Sequence, residues 1–420
     1  KKYKKKIIFE LDASIREALF EQYGIDFPES SNLSTAKKTI IDKLNSDYGI
    51  RPDEATKALA LAKVSRDMIE VLETERVNYD EFFARSRQLV TGTCVGIGQH
   101  HIGIQSNQYD WVIIDEAARS IASELAIAMQ SGSRILLVGD HHQLPPLYSD
   151  GHKKALARKL GVAHKEADLD AVLQSDFARA FESPYGQQVG AALLTQYRMA
   201  SPIGNIVSET FYHGKLQNGN RNIPDIYHSA PEELKHVVTW LDTSSFGKAS
   251  FHKDDRGPSI YNRCEADLII GLLKKVAAIQ GFVDLLKSTV KEGEPALGVI
   301  CMYGEQSRLI RQKFKEVLWN DDFKKLVKIG TVDSYQGKEN RIVILSVTRS
   351  DKGQTPGFLR TSNRINVALS RAMDRLIIVG SSDMWRSRNK DLPLGRVFKF
   401  MSDKDSQLGY TIINGKELKV

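Results

Sequence analysis

Doubly wound parallel α/β sheets preceded by a helical segment are what this sequence predicts, on three observations. Beyond Leu89, short β-branched runs alternate with helical stretches: Trp111–Ile114, Ile135–Val138, Gly298–Cys301, Val327–Val332, Ile342–Val347 and Leu376–Val379. These runs are largely apolar rather than alternating, which suits strands buried on both faces of a parallel sheet. Strands that alternate with helices build doubly wound α/β domains. Residues 1–90 show no such alternation and read as mostly helical.

Within that first segment, Leu59, Leu61, Val64, Met68, Leu72, Phe82 and Phe83 recur at roughly helical spacing from Pro52 to Leu89. Pro52 followed by Asp53 and Glu54 suits a helix start, because proline costs nothing there and acids favour the positive end of the macrodipole. Asn78 with Glu81 resembles a capping box that restarts a helix. Both charge signs populate the surface of this region, which reads as a solvated helical pair. Residues 150–190 carry few strand signals and join two α/β regions. In the tail, Asn414-Gly415 between apolar residues suits a hairpin turn. No repeat of solenoid period is visible.

Composition narrows the class. At about 100–200 residues per domain, 420 residues hold two or three domains. The apolar share of 41% and charged share of 26% are those of a globular chain. No apolar run approaches the roughly 18 residues needed to span a bilayer, so no membrane partner is expected. The opening KKYKKK is not followed by a signal-peptide core. Cys94, Cys264 and Cys301 are far apart and lack metal-ligand spacing; they point to a reducing, cytoplasmic compartment and no structural zinc. A net charge of +7 favours a polyanionic partner without proving one.

Five blocks carry chemistry. Trp111-Val112-Ile113-Ile114-Asp115-Glu116-Ala117 is an apolar strand ending in two acids, which puts carboxylates at the C-terminal sheet edge where ligands bind in open α/β folds. Asp115 can help hold Mg²⁺ there and Glu116 can orient and deprotonate a water; two acids opening a helix would look the same. Ile135 to Val138 leads into Gly139-Asp140-His141-His142-Gln143-Leu144-Pro145-Pro146, where a glutamine past a strand end can sense a γ-phosphate. The prolines stiffen that loop. In Leu194-Thr195-Gln196-Tyr197-Arg198-Met199, Tyr197 offers a face for a base and Arg198 a phosphate clamp, although Tyr-Arg pairs are common and, for this block taken alone, a surface ion pair is the better account. Gly330 to Glu339 is a strand entering a hydroxyl-rich turn suited to sugar–phosphate contacts. In Asn363-Arg364-Ile365-Asn366-Val367-Ala368-Leu369-Ser370-Arg371-Ala372, Arg364 and Arg371 share a helical face. Arg371 is a candidate arginine finger, whereas Arg364 is compatible with a solvated basic face.

In this order, DEAA, GDHHQLPP, QYRM, TVDSYQGKE and NVALSRA resemble motifs II, III, the block opening the second motor domain, V and VI of superfamily-one helicases. They are most similar to the type B group containing the nonsense-mediated-decay helicase and senataxin. Thr91 to Gly96 resembles motif Ic and Val299 to Gln306 motif IV, so the resemblance covers about residues 90–385. It implies RecA-like domains with ATP and Mg²⁺ between them and single-stranded DNA or RNA across the top. Asp115 and Glu116 would handle Mg²⁺ and water, Gln143 would sense the γ-phosphate, and Arg198 and Arg371 would reach it. Tyr197 would stack near the adenine, with Gly337 and Glu339 near the nucleotide. Thr93, Tyr303 and Thr331 would lie near nucleic acid. The expected activity is an ATP-dependent helicase or translocase moving 5′-to-3′.

One departure stands out. A phosphate cradle needs G-x-x-x-x-G-K followed by Ser or Thr. The Gly-Lys pairs at Gly214, Gly247, Gly337 and Gly415 are followed by Leu216, Ala249, Glu339 and Glu417. Motif Ia is missing as well. The expectation is a fragment: a helical stalk or insertion over 1–90, the C-terminal part of the first motor domain over 91–190, a complete second motor domain over 191–400, and a tail over 401–420. The alternative is a non-hydrolysing nucleic-acid-binding or scaffolding module derived from a helicase.

Overall fold

The computed structural model describes residues 33–72, 79–104, 107–148, 175–255, 259–335, 337–404 and 409–418, with a few isolated positions between them. The chain forms two compact units, one of residues 1–112 and 126–135, the other of residues 113–125 and 136–420.

In the first unit, α1 (Leu33–Tyr48) packs on α2 (Pro52–Leu72), which packs on α3 (Tyr79–Ser86). Asp53 and Glu54 occupy the first turn of α2, as the sequence predicts. Ala55, Phe82 and Ala84 are buried, whereas Leu59, Leu61, Met68 and Phe83 face solvent. The apolar spacing therefore marks helices without marking a closed core. The capping box expected at Asn78 lies outside the described residues.

The second unit is built on a six-stranded sheet in the order β10-β5-β9-β8-β6-β7. Its members are β5 (Val238–Asp242), β6 (Leu297–Cys301), β7 (Val327–Thr331), β8 (Asn340–Ser346), β9 (Ala372–Gly380) and β10 (Tyr410–Asn414). All neighbours are parallel. Every residue of β5 and β6 is buried. Side chains alternate between two cores. Val343, Leu345, Leu376 and Ile378 pack with α7 (Ser201–Phe211), α12 (Ser362–Ser370) and α13 (Pro393–Ser402). Ile342, Ile344, Ile377 and Val379 pack against α8 (Arg263–Ala278), α9 (Gln280–Ser288) and α10 (Gly304–Lys315). This is the doubly wound arrangement predicted from the apolar runs.

Two expectations are corrected. Tyr410 to Leu418 forms no hairpin: β10 pairs in parallel with β5, and Asn414 caps a 3₁₀ turn at Gly415–Glu417 by accepting from the Lys416 N–H. The Asn side chain is used locally, so the chain is not reversed into a second strand. Strands β1 (Tyr109–Ile114) and β2 (Gly132–Leu137) lie where expected but are not buried. Among the described residues they form a sheet of two strands, and Trp111, Ile113, Leu136 and Val138 are 41–65% exposed.

Candidate active site

β1 ends at Ile114 and delivers Asp115 and Glu116 into a tight loop. The Val138 N–H donates to the Ile114 carbonyl and the Ala117 N–H to the Val138 carbonyl, each at 2.8 Å, which holds the loop against the exit of β2. Glu116 adopts left-handed backbone angles (φ 54°, ψ 31°), a conformation costing a non-glycine residue roughly 1–2 kcal/mol. Its N–H donates to Asp115 Oδ1 at 2.8 Å. A 3₁₀ turn follows, Ala117–Arg119, with no side-chain cap made to it, and the next α-helix begins only at Ala122. The acids are thus held by a bent strand end, and a helix cap does not account for them. Gly139 is where β2 approaches this loop: a Cβ there would lie 2.8 Å from the Ala118 nitrogen. An open pocket of about 460 Å³ beside the acids is lined by Asp115, Glu116, Arg119, Glu124 and Tyr148 among others.

The loop after β2 is organised by Asp140. Its carboxylate accepts from the His142 N–H at 3.0 Å, from Gln143 Nε2 at 2.9 Å and from the Tyr212 hydroxyl at 2.5 Å. Burial and the adjacent Asp140 push the Tyr212 hydroxyl well above its ordinary pKa, so it stays protonated as a donor. Helix α12 grips the same loop from its first turns. Asn363 Nδ2 donates to the carbonyls of His141 and Gln143, and Asn366 Nδ2 donates to the His142 carbonyl and the Tyr212 oxygen, each at 2.9 Å. Three successive carbonyls that would otherwise be unpaired are satisfied in this way.

Arg371 follows α12 directly and is 2% exposed. Its Nη2 donates to Gln143 Oε1 at 3.1 Å, while Nε and Nη1 donate to the Val367 and Lys338 carbonyls. Both ends of the Gln143 amide are therefore engaged, one by Asp140 and one by Arg371. Burial, reinforced by the nearby Arg198, pulls the Arg371 pKa down to about 10; Glu116 and Glu339 oppose that fall. Arg371 remains charged at neutral pH, within electrostatic reach of Arg198, Glu116 and Glu339. Arg198 pairs through Nε with Glu339 on partly exposed side chains. The ion pair that competed with the phosphate-clamp reading is real, and it joins two residues singled out for the nucleotide. Tyr197 is 65% exposed. Its ring lies on Gly219, where a Cβ would fall 2.2 Å from Tyr197 Cε1.

The other expected positions are more scattered. Thr93, in the first unit, caps the turn Cys94–Ile97 by accepting from the Gly96 N–H at 3.0 Å. Tyr303 is buried, with its hydroxyl on Arg349 and its ring 4.5 Å from that of Phe358. Thr331 ends β7, its carbonyl accepting from the Ser334 hydroxyl. Gly337 has φ +73° in the turn before Glu339. Arg364 and Arg371 go to different surroundings: Arg364 pairs with Asp333 at 3.4 Å. Asp140, Tyr212, Asn363 and Asn366 received no role from the sequence. Asn363 and Asn366, three residues apart on a helix, share a face, and that spacing was a usable signal for the pair.

Two family patterns, each described as an AAA domain, match residues 172–383 and 15–150. The chain belongs to the superfamily-one helicases of the Upf1-like and senataxin-like group. The chain's six-stranded parallel sheet is of the RecA-like motor type. It is 30% identical over 308 residues to the ATP-dependent helicase upf1 of Schizosaccharomyces pombe, covering 71% of this chain and 29% of the relative. It is 28% identical to the DNA replication ATP-dependent helicase/nuclease of Saccharomyces cerevisiae (72% and 19% covered) and 27% identical to helicase sen1 of Schizosaccharomyces pombe (72% and 17%). The chain thus spans less than a third of the length of these relatives.

Proposed function

We propose that this chain supplies the phosphate-sensing and nucleic-acid-gripping part of an ATP-driven motor that moves 5′-to-3′ on single-stranded DNA or RNA. One observation carries the reading. Gln143 is held between Asp140 and Arg371, in a loop whose carbonyls are gripped by the helix that bears Arg371. A change at a γ-phosphate touching Gln143 would reach α12 through direct hydrogen bonds. Arg198 and Arg371 supply positive charge where a transferring phosphoryl group develops negative charge, and Glu116 would orient the attacking water.

These residues fit the γ-phosphate end of ATP. Asp115 would help hold Mg²⁺, which when bound neutralises phosphate oxygens. A cradle of G-x-x-x-x-G-K with Ser or Thr does not occur in the 420 residues. That absence favours a second reading, a nucleic-acid-binding module without hydrolysis. On the motor reading, residues 91–190 belong to one motor domain and 191–400 to the next, working in a reducing cytoplasm. The relatives' names, which include a DNA replication helicase and regulators of nonsense transcripts, support both polymers as substrates.

The test is ATP hydrolysis by the full-length protein and its Glu116→Gln variant, with and without single-stranded DNA or RNA; this chain alone, which lacks the cradle, is expected to be inactive. Hydrolysis stimulated by one polymer and lost in Glu116→Gln is the expected result. Nucleic-acid binding with no hydrolysis by either form would favour the second reading.

A further inference from the structure

Tyr303 follows the C-terminal end of β6 and stands between two arginines. Arg349, just beyond β8, donates Nε to the Tyr303 hydroxyl at 3.2 Å, and its guanidinium lies 5.8 Å from the ring centre. Arg364, in the first turn of α12, lies 5.0 Å from the centre of Phe358, whose ring is tilted against that of Tyr303. Burial raises the Tyr303 hydroxyl pKa, and both guanidiniums oppose that rise, which places two positive charges around one phenol.

The two arginines differ in how they are neutralised. Arg364 has Asp333. Arg349 is partly buried and has no carboxylate within 4.0 Å among the described residues. A guanidinium carries five N–H donors in a fixed fork, and among the described residues the Arg349 side chain uses one, on Tyr303. The fork rests on Gly357, where a Cβ would come 2.5 Å from Nη2. The side chain is thus positioned from two sides while its charge is left unmatched, an arrangement that an oxyanion completes. It stands at the C-terminal edge of the parallel sheet, where open α/β folds bind ligands. Its partners are not shared with Gln143, Arg198 or Arg371, so it is separate from the γ-phosphate group of residues.

We propose that Arg349 binds a phosphodiester of the single-stranded nucleic acid, with Tyr303 as the positioning residue that fixes Nε and leaves both Nη groups for phosphate oxygens. This rests on the nucleic-acid reading given above. A lost phosphate contact has a signature that general destabilisation does not: the salt dependence of binding changes. Each phosphate neutralised on a single strand contributes about 0.7 to the slope of log K against log salt.

The experiment titrates the 420-residue chain with fluorescent oligothymidylate and oligouridylate across salt concentrations, beside Arg349→Gln, Arg349→Lys and Tyr303→Phe. A fluorescent ATP analogue is titrated in parallel into the full-length protein carrying the same substitutions. In Arg349→Gln the slope is expected to fall by about 0.7, with roughly tenfold weaker binding at low salt. Arg349→Lys keeps the slope but loses affinity, because an ammonium lacks the fork. Tyr303→Phe weakens binding without changing the slope. Affinity for the ATP analogue stays constant throughout. An unchanged slope in Arg349→Gln overturns the proposal, as does a loss confined to the ATP analogue. If Arg349→Gln does not fold, unchanged affinity in both Arg349→Lys and Tyr303→Phe overturns it. Failure of the unaltered chain to bind any oligonucleotide would remove the nucleic-acid reading itself, and this inference with it.

Discussion

Glu265, fully buried in the first turn of α8, has its carboxyl pushed up to about 8 by burial, against hydrogen bonds from Ser346 and the Thr348 N–H. A raised carboxyl makes the folded chain hold a proton that the unfolded chain has already released. Its stability contribution is therefore complete below the ordinary carboxylate range and is lost as pH rises towards 8. Urea midpoints should fall over that interval in the unaltered chain and fall less in Glu265→Gln; equal slopes would show that Glu265 is not the group responsible. Tyr212 gives a second prediction. Tyr212→Phe removes the donor to Asp140 and the acceptor for Asn366, and should lower unfolding stability by about 1–3 kcal/mol in urea titration. Asp115, Glu116, Gln143 and Arg371 were legible as candidates because each lies in a short contiguous block. Asp140 and Tyr212 were not, because the bond between them joins residues 72 positions apart.

Among the elements, α12 acts as a clamp through Asn363 and Asn366. In the Asn363→Ala, Asn366→Ala double variant, the carbonyls of residues 141–143 lose their partners. Amide exchange over residues 140–144 should quicken while the central strands keep their protection. Exchange unchanged in that loop would show that Asp140 alone holds it. The central strands β6, β8 and β9 were readable as buried strands because both faces are covered and their central runs, Val299–Cys301, Ile342–Leu345 and Leu376–Val379, are apolar. β5 was missed: Thr239 and Asp242 break its apolar run, and their polar atoms are satisfied by the Glu233 carbonyl and by Ser244 and Ser382. β10 was misread because a strand paired on one side need not be apolar on both faces, and an Asn-Gly pair serves a cap as well as a hairpin.

For the whole molecule, the net charge of +7 favours a polyanionic partner, and the nucleic-acid reading proposed above carries an expectation about salt. Contacts to sugar and phosphate dominate such interfaces, so affinity for single strands should depend steeply on salt and little on base sequence. A strong sequence preference at constant salt would contradict that. The two-stranded sheet has a different consequence. Strands β1 and β2 expose Trp111, Ile113, Leu136 and Val138, and among the described residues no third strand pairs with either. Unpaired backbone groups beside apolar side chains are a template for strand addition between molecules. The isolated chain should accordingly self-associate as its concentration rises, seen as growing mass in light scattering. Ile113→Lys, which sets a charge on that face, should delay the onset. Colloidal behaviour in the test tube would then be governed by four side chains within residues 111–138, a stretch that contains none of Arg198, Arg349 and Arg371.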